Sequence, residues 1–253
     1  MARHTEAGTL KLTILSAALI GGLALPAQAQ EFGLGGTATF TTDYVFRGVS
    51  QTGDNPAVQA SLDATYGIFY AGIWGSNVDF AVPGQDIEID YYAGITPEWK
   101  GITFDIAGLY YTYPGTCGGA CGLGEADYFE LKTGASYTFG ESFTIGVANY
   151  WSPDFAFETG EGDAIEGSVE YAFSGKLFNF FTPSVSALLG YQDVDDLGDY
   201  TYWNAGLTLG FMDNWSADIR YWDTDASDVT CTGYSGFTSN CEARVVGTVS
   251  ASF

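Results

Sequence analysis

Basic residues are scarce in this chain. Its 253 residues include 8 Lys and Arg against 31 Asp and Glu, so the formal net charge is −23. Proteins that bind nucleic acid phosphates need a basic face, and this charge balance excludes that class of function. Charged residues make up only 15% of the chain and hydrophobic residues 46%. A chain of that composition is too apolar to be disordered.

Histidine is almost absent as well. The single histidine, His4, lies in an N-terminal segment that we expect to be removed. Its loss excludes Ser-His-Asp and Cys-His catalysis and histidine-based zinc sites in the mature protein. There is no G-x-S-x-G motif and no Gly-rich phosphate loop with its lysine. A hydrolase that uses a pair of carboxylates remains possible. With so many acidic residues, however, some pair is expected at a suitable distance by chance, so such a pair is weak evidence for catalysis. We therefore expect a protein that is not an enzyme and that has no cofactor and no metal site.

Residues 1–29 have the features of a secretory signal peptide. They begin with a basic stretch, continue with the apolar run Leu12–Leu25 and end in an Ala-Gln-Ala motif. The alternative, a membrane anchor, needs about 20 apolar residues. We predict cleavage after Ala29 and a mature chain, residues 30–253, with six basic and thirty acidic residues and a net charge of −24. Since no later apolar run has spanning length, we expect an exported protein without a transmembrane helix.

Apolar and polar residues alternate along most of the mature chain. In Asp86–Ile95, for example, the odd positions are apolar, and positions 86, 88 and 90 are acidic. A period of two indicates a strand with one buried face, and no stretch keeps the spacing of a helix. We predict an all-β protein with twelve strands, most of about ten residues, enough to cross a bilayer when tilted. The strands are predicted near 34–47, 56–66, 68–79, 86–96, 101–112, 126–139, 142–151, 164–173, 182–192, 201–211, 214–224 and 241–253.

The predicted connections alternate in length. Those after the even-numbered strands are short and lie around Gly67, Pro97–Lys100, Gly140–Glu141, Gly175–Asn179 and Met212–Asp213. Those after the odd-numbered strands are mostly longer, at 48–55, 80–85, 113–125, 152–163, 193–200 and 225–240. A soluble sandwich has no reason to sort its loops in this way. We predict a closed antiparallel transmembrane β-barrel of about twelve strands, with short periplasmic turns and longer extracellular loops.

Aromatic residues cluster at the predicted strand ends, where a membrane barrel carries its aromatic girdles. The pairs are Tyr110-Tyr111, Tyr150-Trp151, Tyr202-Trp203 and Tyr221-Trp222. The alternative is that they belong to the core of a soluble sandwich. The chain ends in Phe253, after a strand with small or apolar residues at alternate positions. This ending resembles the signal that the outer-membrane barrel assembly machinery reads, so that machinery is an expected partner.

Several motifs are similar to those of the TorF family of porins. The most specific is Thr42–Gln51, TDYVFRGVSQ, followed by Asn55–Gln59. Glu88–Gly94, Tyr110–Gly115 and Tyr150–Asp154 resemble later signatures of the family. The resemblance runs from about Phe32 to Phe253 and implies a proteobacterial outer-membrane barrel assigned as a porin. It implies no settled substrate and no catalytic residues. Cys117 and Cys121 are not part of the family pattern.

If the apolar positions face outward, thirteen charged residues are predicted to face the lumen. The acidic ones are Asp43, Asp63, Glu88, Asp90, Asp105, Glu130, Glu166, Glu170 and Asp218, and the basic ones are Arg47, Lys132, Arg220 and Arg244. Carboxylates lining a channel favour cations. We therefore expect a narrow, mildly cation-preferring pore for passive diffusion of small solutes. The alternative is a plugged barrel with a structural or adhesion role, in which these charges pair across the lumen.

Arg47 lies where the first predicted strand enters a long loop, on the same face as Asp43. Four residues of extended chain span about 13 Å, so these two side chains are too far apart to touch. We expect Arg47 to reach a carboxylate on a neighbouring strand and to have a structural role. The alternative is contact with the transported solute.

The four cysteines of an exported protein are expected to form disulfides. Cys117 and Cys121 fall in one long loop and Cys231 and Cys241 in another, so local pairs are favoured over the two other connectivities. A metal site at Cys117–Cys121 is the alternative, although no histidine accompanies it. The acidic loops, around Asp193–Asp199 and Asp223–Asp228, lack the spacing of a calcium-binding EF-hand loop. We expect solvated loops, bridged by divalent ions to anionic lipopolysaccharide in the outer-membrane lipid, rather than a dedicated calcium site.

Overall fold

Twelve antiparallel strands close into a barrel in the computed structural model, which describes residues 32–253. Each strand pairs with the next, and the first strand pairs with the last, with Thr37 opposite Ser252. The strands are β1 (Phe32–Thr41), β2 (Ala57–Tyr66), β3 (Phe69–Asn77), β4 (Ile87–Ile95), β5 (Ile102–Thr112), β6 (Tyr128–Phe139), β7 (Phe143–Ser152), β8 (Gly162–Ala172), β9 (Thr182–Val194), β10 (Gly198–Phe211), β11 (Trp215–Thr224) and β12 (Arg244–Ser252). The predicted fold class and strand number are confirmed. The predicted signal peptide, residues 1–29, lies outside the described residues.

The alternation along each strand separates an apolar exterior from a polar interior. In β4, Ile87 and Tyr91 are about half exposed, whereas Glu88 and Asp90 are buried. Closing the sheet gives every strand two hydrogen-bonded neighbours, which a lipid environment requires. Exposed apolar side chains cover the outside of the barrel and include Leu34, Phe40, Val58, Leu62, Ile73, Ile106, Leu131, Val147, Ile165, Val169, Leu189, Ile219 and Val245. Within residues 32–253, no helix combines the length and the apolar character needed to cross a bilayer.

Connection lengths follow the predicted alternation with one pair of exceptions. The β10–β11 turn is the three residues 212–214, with positive φ at Met212 and Asp213 (51° and 64°), a backbone conformation that tight hairpin turns use. The predicted long loop at 193–200 is instead the three residues 195–197, because β9 and β10 are 13 and 14 residues long. The predicted short turn at 175–179 is correspondingly the nine residues 173–181. Acidic residues at the ends of β9 and β10 had suggested a loop.

The first predicted strand, 34–47, is wrong at its C-terminal end. Strand β1 stops at Thr41, and residues 42–56, here called the inner loop, run into the barrel lumen before β2 begins. Val45–Phe46 and Val49–Ser50 form a small hairpin within this loop, and Arg47 and Gly48 have positive φ at its turn. A Cβ at Gly48 would lie 2.8 Å from the Cβ of Tyr202, so the hairpin touches the opposite barrel wall. Alternating polarity indicates that a segment is extended. It does not indicate whether that segment lies in the barrel wall or inside the lumen.

Two disulfides tie long loops to themselves. Cys117 bonds to Cys121, and Cys231 bonds to Cys241, which are the pairs expected from the spacing. The second links helix α1 (Asp228–Ser235) to the 3₁₀ turn Thr238–Cys241. Ser227 caps α1 by accepting a hydrogen bond from the Thr230 N–H, a common device at helix N-termini. The helix was not predicted, because this acidic segment is too short for a clear helical period.

The four aromatic pairs only partly form girdles. Neighbouring residues of a strand face opposite sides, so one member of each pair points into the lumen. The inward members are buried, and they are Tyr111, Tyr150, Tyr202 and Trp222. Their partners Tyr110 and Tyr221 are exposed on the outer surface. The expectation that whole pairs belong to girdles is therefore wrong for half of the residues.

Charges placed on the outer face at different depths test whether this face meets lipid. Leu62 lies in the middle of β2 and Val58 near its end, and their exposed fractions are 59% and 67%. We expect Leu62→Lys to lower the free energy of unfolding in phospholipid vesicles by about 2–4 kcal/mol, and Val58→Lys by about 0–1 kcal/mol. Urea titrations of the refolded proteins measure both values. Equal, near-zero effects at the two depths would contradict a lipid-facing exterior.

Candidate functional site

The structure places all thirteen predicted lumen residues inside the barrel. Eleven lie on inward positions of strands, and Asp43 and Arg47 lie on the inner loop. Seven of the thirteen are buried, namely Asp43, Arg47, Glu88, Asp90, Glu130, Lys132 and Arg220. The other six are partly exposed, namely Asp63, Asp105, Glu166, Glu170, Asp218 and Arg244. The alternation of apolar and polar residues thus predicted correctly which face of the sheet each residue occupies. That these residues line a conducting pore stays a prediction.

Arg47 and Glu130 form a two-pronged ion pair across the lumen, here called the Arg47 clasp. Arg47 Nη1 and Nη2 lie 2.7 and 2.8 Å from Oε1 and Oε2 of Glu130. Nη1 also donates to Gln192 at 3.3 Å, and the Tyr111 hydroxyl donates to Glu130 at 3.0 Å. Both charged side chains are almost fully buried, with exposed fractions of 4% and 2%. A bidentate geometry of this kind is the strongest form of an Arg–carboxylate pair.

Aromatic rings surround the Arg47 guanidinium. Its central carbon lies 4.6 Å from the centre of the Phe46 ring and 4.7 Å from that of Tyr150, within the range of cation–π attraction. Desolvation, the largest single influence, lowers the pKa of Arg47, but Glu130, Tyr202 and Tyr111 together raise it by more, so the pKa lies well above its ordinary value. The guanidinium therefore keeps its charge and holds the inner loop in place.

The expectation that Arg47 reaches a neighbouring strand is wrong. A carboxylate does bind it, but Glu130 lies in β6, five strands away from β1 in the order of the sheet. The reason is that Arg47 stands on a loop that enters the lumen, so its reach is across the barrel rather than along its wall. Gln192 in β9, which also contacts it, was not predicted because a neutral amide gave no signal.

The base of the inner loop has a second attachment. Asp43 accepts hydrogen bonds from Ser50 at 2.7 Å and Thr52 at 2.8 Å, both within the loop. Arg244 of β12 donates to Asp43 at 2.8 Å and also pairs with Asp54. The loop is therefore fixed at its base to β12 and at its tip to β6.

Aromatic contacts extend from the inner loop across the lumen at the end with the long loops. One ring contact joins Trp74 and Tyr44. A separate, unbroken series of contacts runs through Phe46, Tyr111, Tyr128, Phe155, Tyr234, Tyr200 and Tyr202. Tyr234 comes from α1, so that loop also folds inward. A cavity beside Arg47 has a volume of about 30 Å³, which is room for one or two water molecules. This half of the lumen is filled.

The other half of the lumen, toward the short turns, is lined by small polar residues and is here called the vestibule. Its inward positions include Gly33, Gly35, Thr37, Ser61, Thr65, Thr103, Ser136, Thr144, Gly146, Ser184, Ser186, Ser250 and Ser252. These side chains are partly exposed. Asp63, Asp105, Glu170 and Asp218 share this region. The vestibule is therefore accessible to solvent and carries acidic side chains.

Acidic groups outnumber basic ones in the lumen even after pairing. Lys132 lies 2.6 Å from Asp105, and Arg220 lies 3.1 Å from Asp218 and donates to Asn204 at 2.7 Å. With Arg47 on Glu130 and Arg244 on Asp43, each of the four predicted bases has an acidic partner. Among residues 32–253, these four ion pairs leave out five predicted lumen acids, namely Asp63, Glu88, Asp90, Glu166 and Glu170, although Arg220 also attracts Glu170. Tyrosine hydroxyls donate to three of them.

Comparison with known proteins gives a family and a fold. The model of a family described as "Bacterial protein of unknown function (Gcw_chp)" matches residues 27–253, so the chain belongs to that family. No curated protein matches the chain. A structure of a KdgM porin is similar, with a TM-score of 0.57 at 9% identity over 87% of this chain and 99% of that one. A second KdgM porin structure, "in complex with disordered oligogalacturonate", gives 0.55 at 8% identity over 87% and 98%. A NanC porin gives 0.52 at 10% identity over 87% and 99%.

Removing the arginine of the Arg47 clasp tests its structural role. Arg47→Ala leaves Glu130 buried without a cation, and loss of one partner of a buried pair costs about 3–5 kcal/mol. We expect lower resistance to heat denaturation, seen as unfolding of the compact electrophoretic form at a lower temperature, with unchanged ion selectivity. Glu130→Gln in the same background should cost less than the two single changes added together.

Unchanged heat resistance together with altered selectivity would reverse this assignment and place Arg47 in solute contact. Lys100→Ala is the matched control, since Lys100 is an exposed basic residue at a short turn. It should leave both measurements as they are in the wild type.

Proposed function

We propose that this member of the Gcw_chp family is an outer-membrane channel of the porin type that passes small solutes passively and mildly prefers cations. The observation that carries the proposal is the closed twelve-stranded barrel, apolar outside and hydrated inside at the vestibule. Such an interior would offer a path once the inner loop leaves the filled half, and we propose no enzymatic role and no cofactor.

Two features support export to an outer membrane. One is the predicted signal peptide, residues 1–29, and the other is the position of Phe253. Its N–H donates to the Gly36 carbonyl, and its own carbonyl accepts from the Gly36 N–H, so the last residue completes the seam between β12 and β1. Its ring stays 74% exposed on the outer face. We propose that the barrel assembly machinery recognises Phe253 before the seam closes.

The resemblance to TorF porins supports the same proposal. Its most specific motif, Thr42–Gln51, begins the inner loop and contains both Asp43 and Arg47. The residues that attach the inner loop to the barrel wall are therefore the ones that carry the resemblance. We infer that this motif encodes a loop that lies inside the lumen and is held there by its arginine.

The proposed cation preference follows from the unbalanced acids. Asp63 and Glu170 in the vestibule stand outside the four ion pairs, and both are partly exposed. Arg220, which already pairs with Asp218, also attracts Glu170, so its single charge is shared by two carboxylates. Carboxylates in a low-dielectric channel attract cations and repel anions. A polyanion such as the oligogalacturonate bound to a KdgM porin would be repelled here, so we infer small neutral or cationic solutes. Divalent ions on the acidic outer loops would bridge the barrel to lipopolysaccharide.

A second candidate is a barrel that does not conduct and serves adhesion or membrane structure. The filled half of the lumen favours it, because the inner loop and the aromatic rings leave a cavity of about 30 Å³. Conduction in our proposal requires the inner loop to leave its place. The two candidates therefore differ in whether release of the Arg47 clasp opens a path.

Single-channel recording in planar bilayers separates the two candidates. We expect small, cation-preferring conductance for the wild type and a higher open probability for Glu130→Gln, which weakens the Arg47 clasp. Asp63→Asn with Glu170→Gln should move the cation-to-anion permeability ratio toward one, because both carboxylates face the vestibule. Asp196→Asn, on an exposed outer turn, is the control and should change neither quantity.

Absence of conductance in both the wild type and Glu130→Gln would favour the structural barrel. Clear anion preference in the wild type would contradict the proposed selectivity and leave the channel itself standing.

A further inference from the structure

Strand β4 carries two buried carboxylates that form no ion pair with a described residue. Glu88 and Asp90 point to the same side of β4, and each is 2% exposed. Oδ1 and Oδ2 of Asp90 and Oε2 of Glu88 make no hydrogen bond. Among the described residues, 32–253, no other charged side chain has a buried oxygen or nitrogen in this condition. Burial of a carboxylate without a partner is strongly unfavourable, so these oxygens call for a ligand.

The surroundings of the pair are aromatic, and no basic side chain of residues 32–253 forms an ion pair with it. In register, Asp90 lies opposite Trp74 of β3 and Tyr111 of β5. The Tyr113 hydroxyl donates to Oε1 of Glu88 at 3.0 Å, and no hydrogen bond of normal geometry reaches Oε2. Arg47, the basic residue of the adjoining inner loop, is already bound to Glu130.

The inner loop adds one more oxygen. The Tyr44 ring packs edge-on against Trp74, with ring centres 5.3 Å apart, and its hydroxyl is buried without a hydrogen bond of normal geometry. Tyrosine hydroxyls are ordinarily neutral, so the inner loop places a neutral oxygen beside the Glu88 carboxylate.

We propose that Glu88, Asp90 and Tyr44 form a binding site for one divalent cation inside the barrel. Hard cations take oxygen ligands, and two carboxylates balance two positive charges. Ca²⁺ fits the site better than Mg²⁺, because Ca²⁺ accepts irregular geometry and carboxylate oxygens in either mono- or bidentate mode, whereas Mg²⁺ demands a near-ideal octahedron. The site is independent of the proposed channel function and exists whether or not the barrel conducts.

Occupancy of this site has a structural consequence. Glu88 and Asp90 belong to the barrel wall, and Tyr44 belongs to the inner loop. A bound cation therefore joins the loop to β4, in addition to the attachments at β6 and β12. It stabilises the loop inside the lumen and raises the stability of the whole barrel by mass action.

Terbium binding to the folded full-length protein in detergent micelles tests the site. Tb³⁺ takes the place of Ca²⁺ at oxygen sites, and excitation of nearby Trp74 and tyrosine rings makes it emit. We expect sensitised emission that Ca²⁺ displaces, and a loss of affinity of about tenfold or more in Asp90→Asn. Tyr44→Phe should weaken binding less, since it removes a neutral ligand. Asp196→Asn is the matched control for acidic outer loops and should behave like the wild type.

A second measurement covers the case in which Asp90→Asn does not fold. Glu88→Gln keeps the size of the side chain, and it should also lower the Tb³⁺ affinity and abolish the increase in unfolding temperature that Ca²⁺ gives the wild type. Protonated carboxyl groups are the rival explanation, and they show a characteristic infrared C=O band. Persistence of that band at saturating Ca²⁺, or affinities of Asp90→Asn and Glu88→Gln equal to the wild-type value, would overturn the proposal.

Discussion

The hydrogen-bonding demand of the backbone is the constraint from which the rest of this structure follows. A sheet that faces lipid has no solvent to satisfy an open edge, so β1 must pair with β12 and the barrel must close. Closure divides each strand into an outer and an inner set of residues. It also leaves a lumen, because twelve strands enclose more space than the eight whose side chains alone fill a barrel. The inner loop, 42–56, occupies that extra space at one end.

The inner loop places charged side chains inside the barrel, where they are shielded from water. Every buried charge needs a partner, and the Arg47 clasp meets this need with two short hydrogen bonds and two flanking rings. Tyrosines suit the rest of the filled half, since each supplies a large apolar ring and one hydroxyl that can reach a carboxylate. Tyr111, Tyr113 and Tyr202 do so for Glu130, Glu88 and Glu166. The vestibule, by contrast, keeps Gly, Ser and Thr and stays hydrated.

Much of this arrangement could be predicted from the sequence, because strand parity is local information. The alternation in Asp86–Ile95 assigns Glu88 and Asp90 to the inside without any knowledge of their partners. The inner loop was missed for the opposite reason. Its position depends on contacts such as Arg47 to Glu130 and Arg47 to Gln192, which are 83 and 145 residues apart, and no local pattern encodes them. The girdle assignment failed at Tyr111 and Tyr202 because parity had not been applied to aromatic residues as it was to charged ones.

The two features of the filled half are energetically linked. Glu130, Glu88 and Asp90 lie close enough to interact, and Arg47 supplies the positive charge among them. Departure of the inner loop would remove both that cation and the Tyr44 oxygen, leaving three acids facing one another in a poorly hydrated space. The inner loop could therefore leave the lumen only if protons or metal ions neutralised the three acids, or if water entered to hydrate them. A cation that binds the loop-in state more tightly must, by linkage, lower the population of the loop-out state. Both kinds of cation would thus act on the equilibrium between the loop-in and loop-out states. A permeant cation would pass through the loop-out state, and a cation bound at the proposed site would favour the loop-in state.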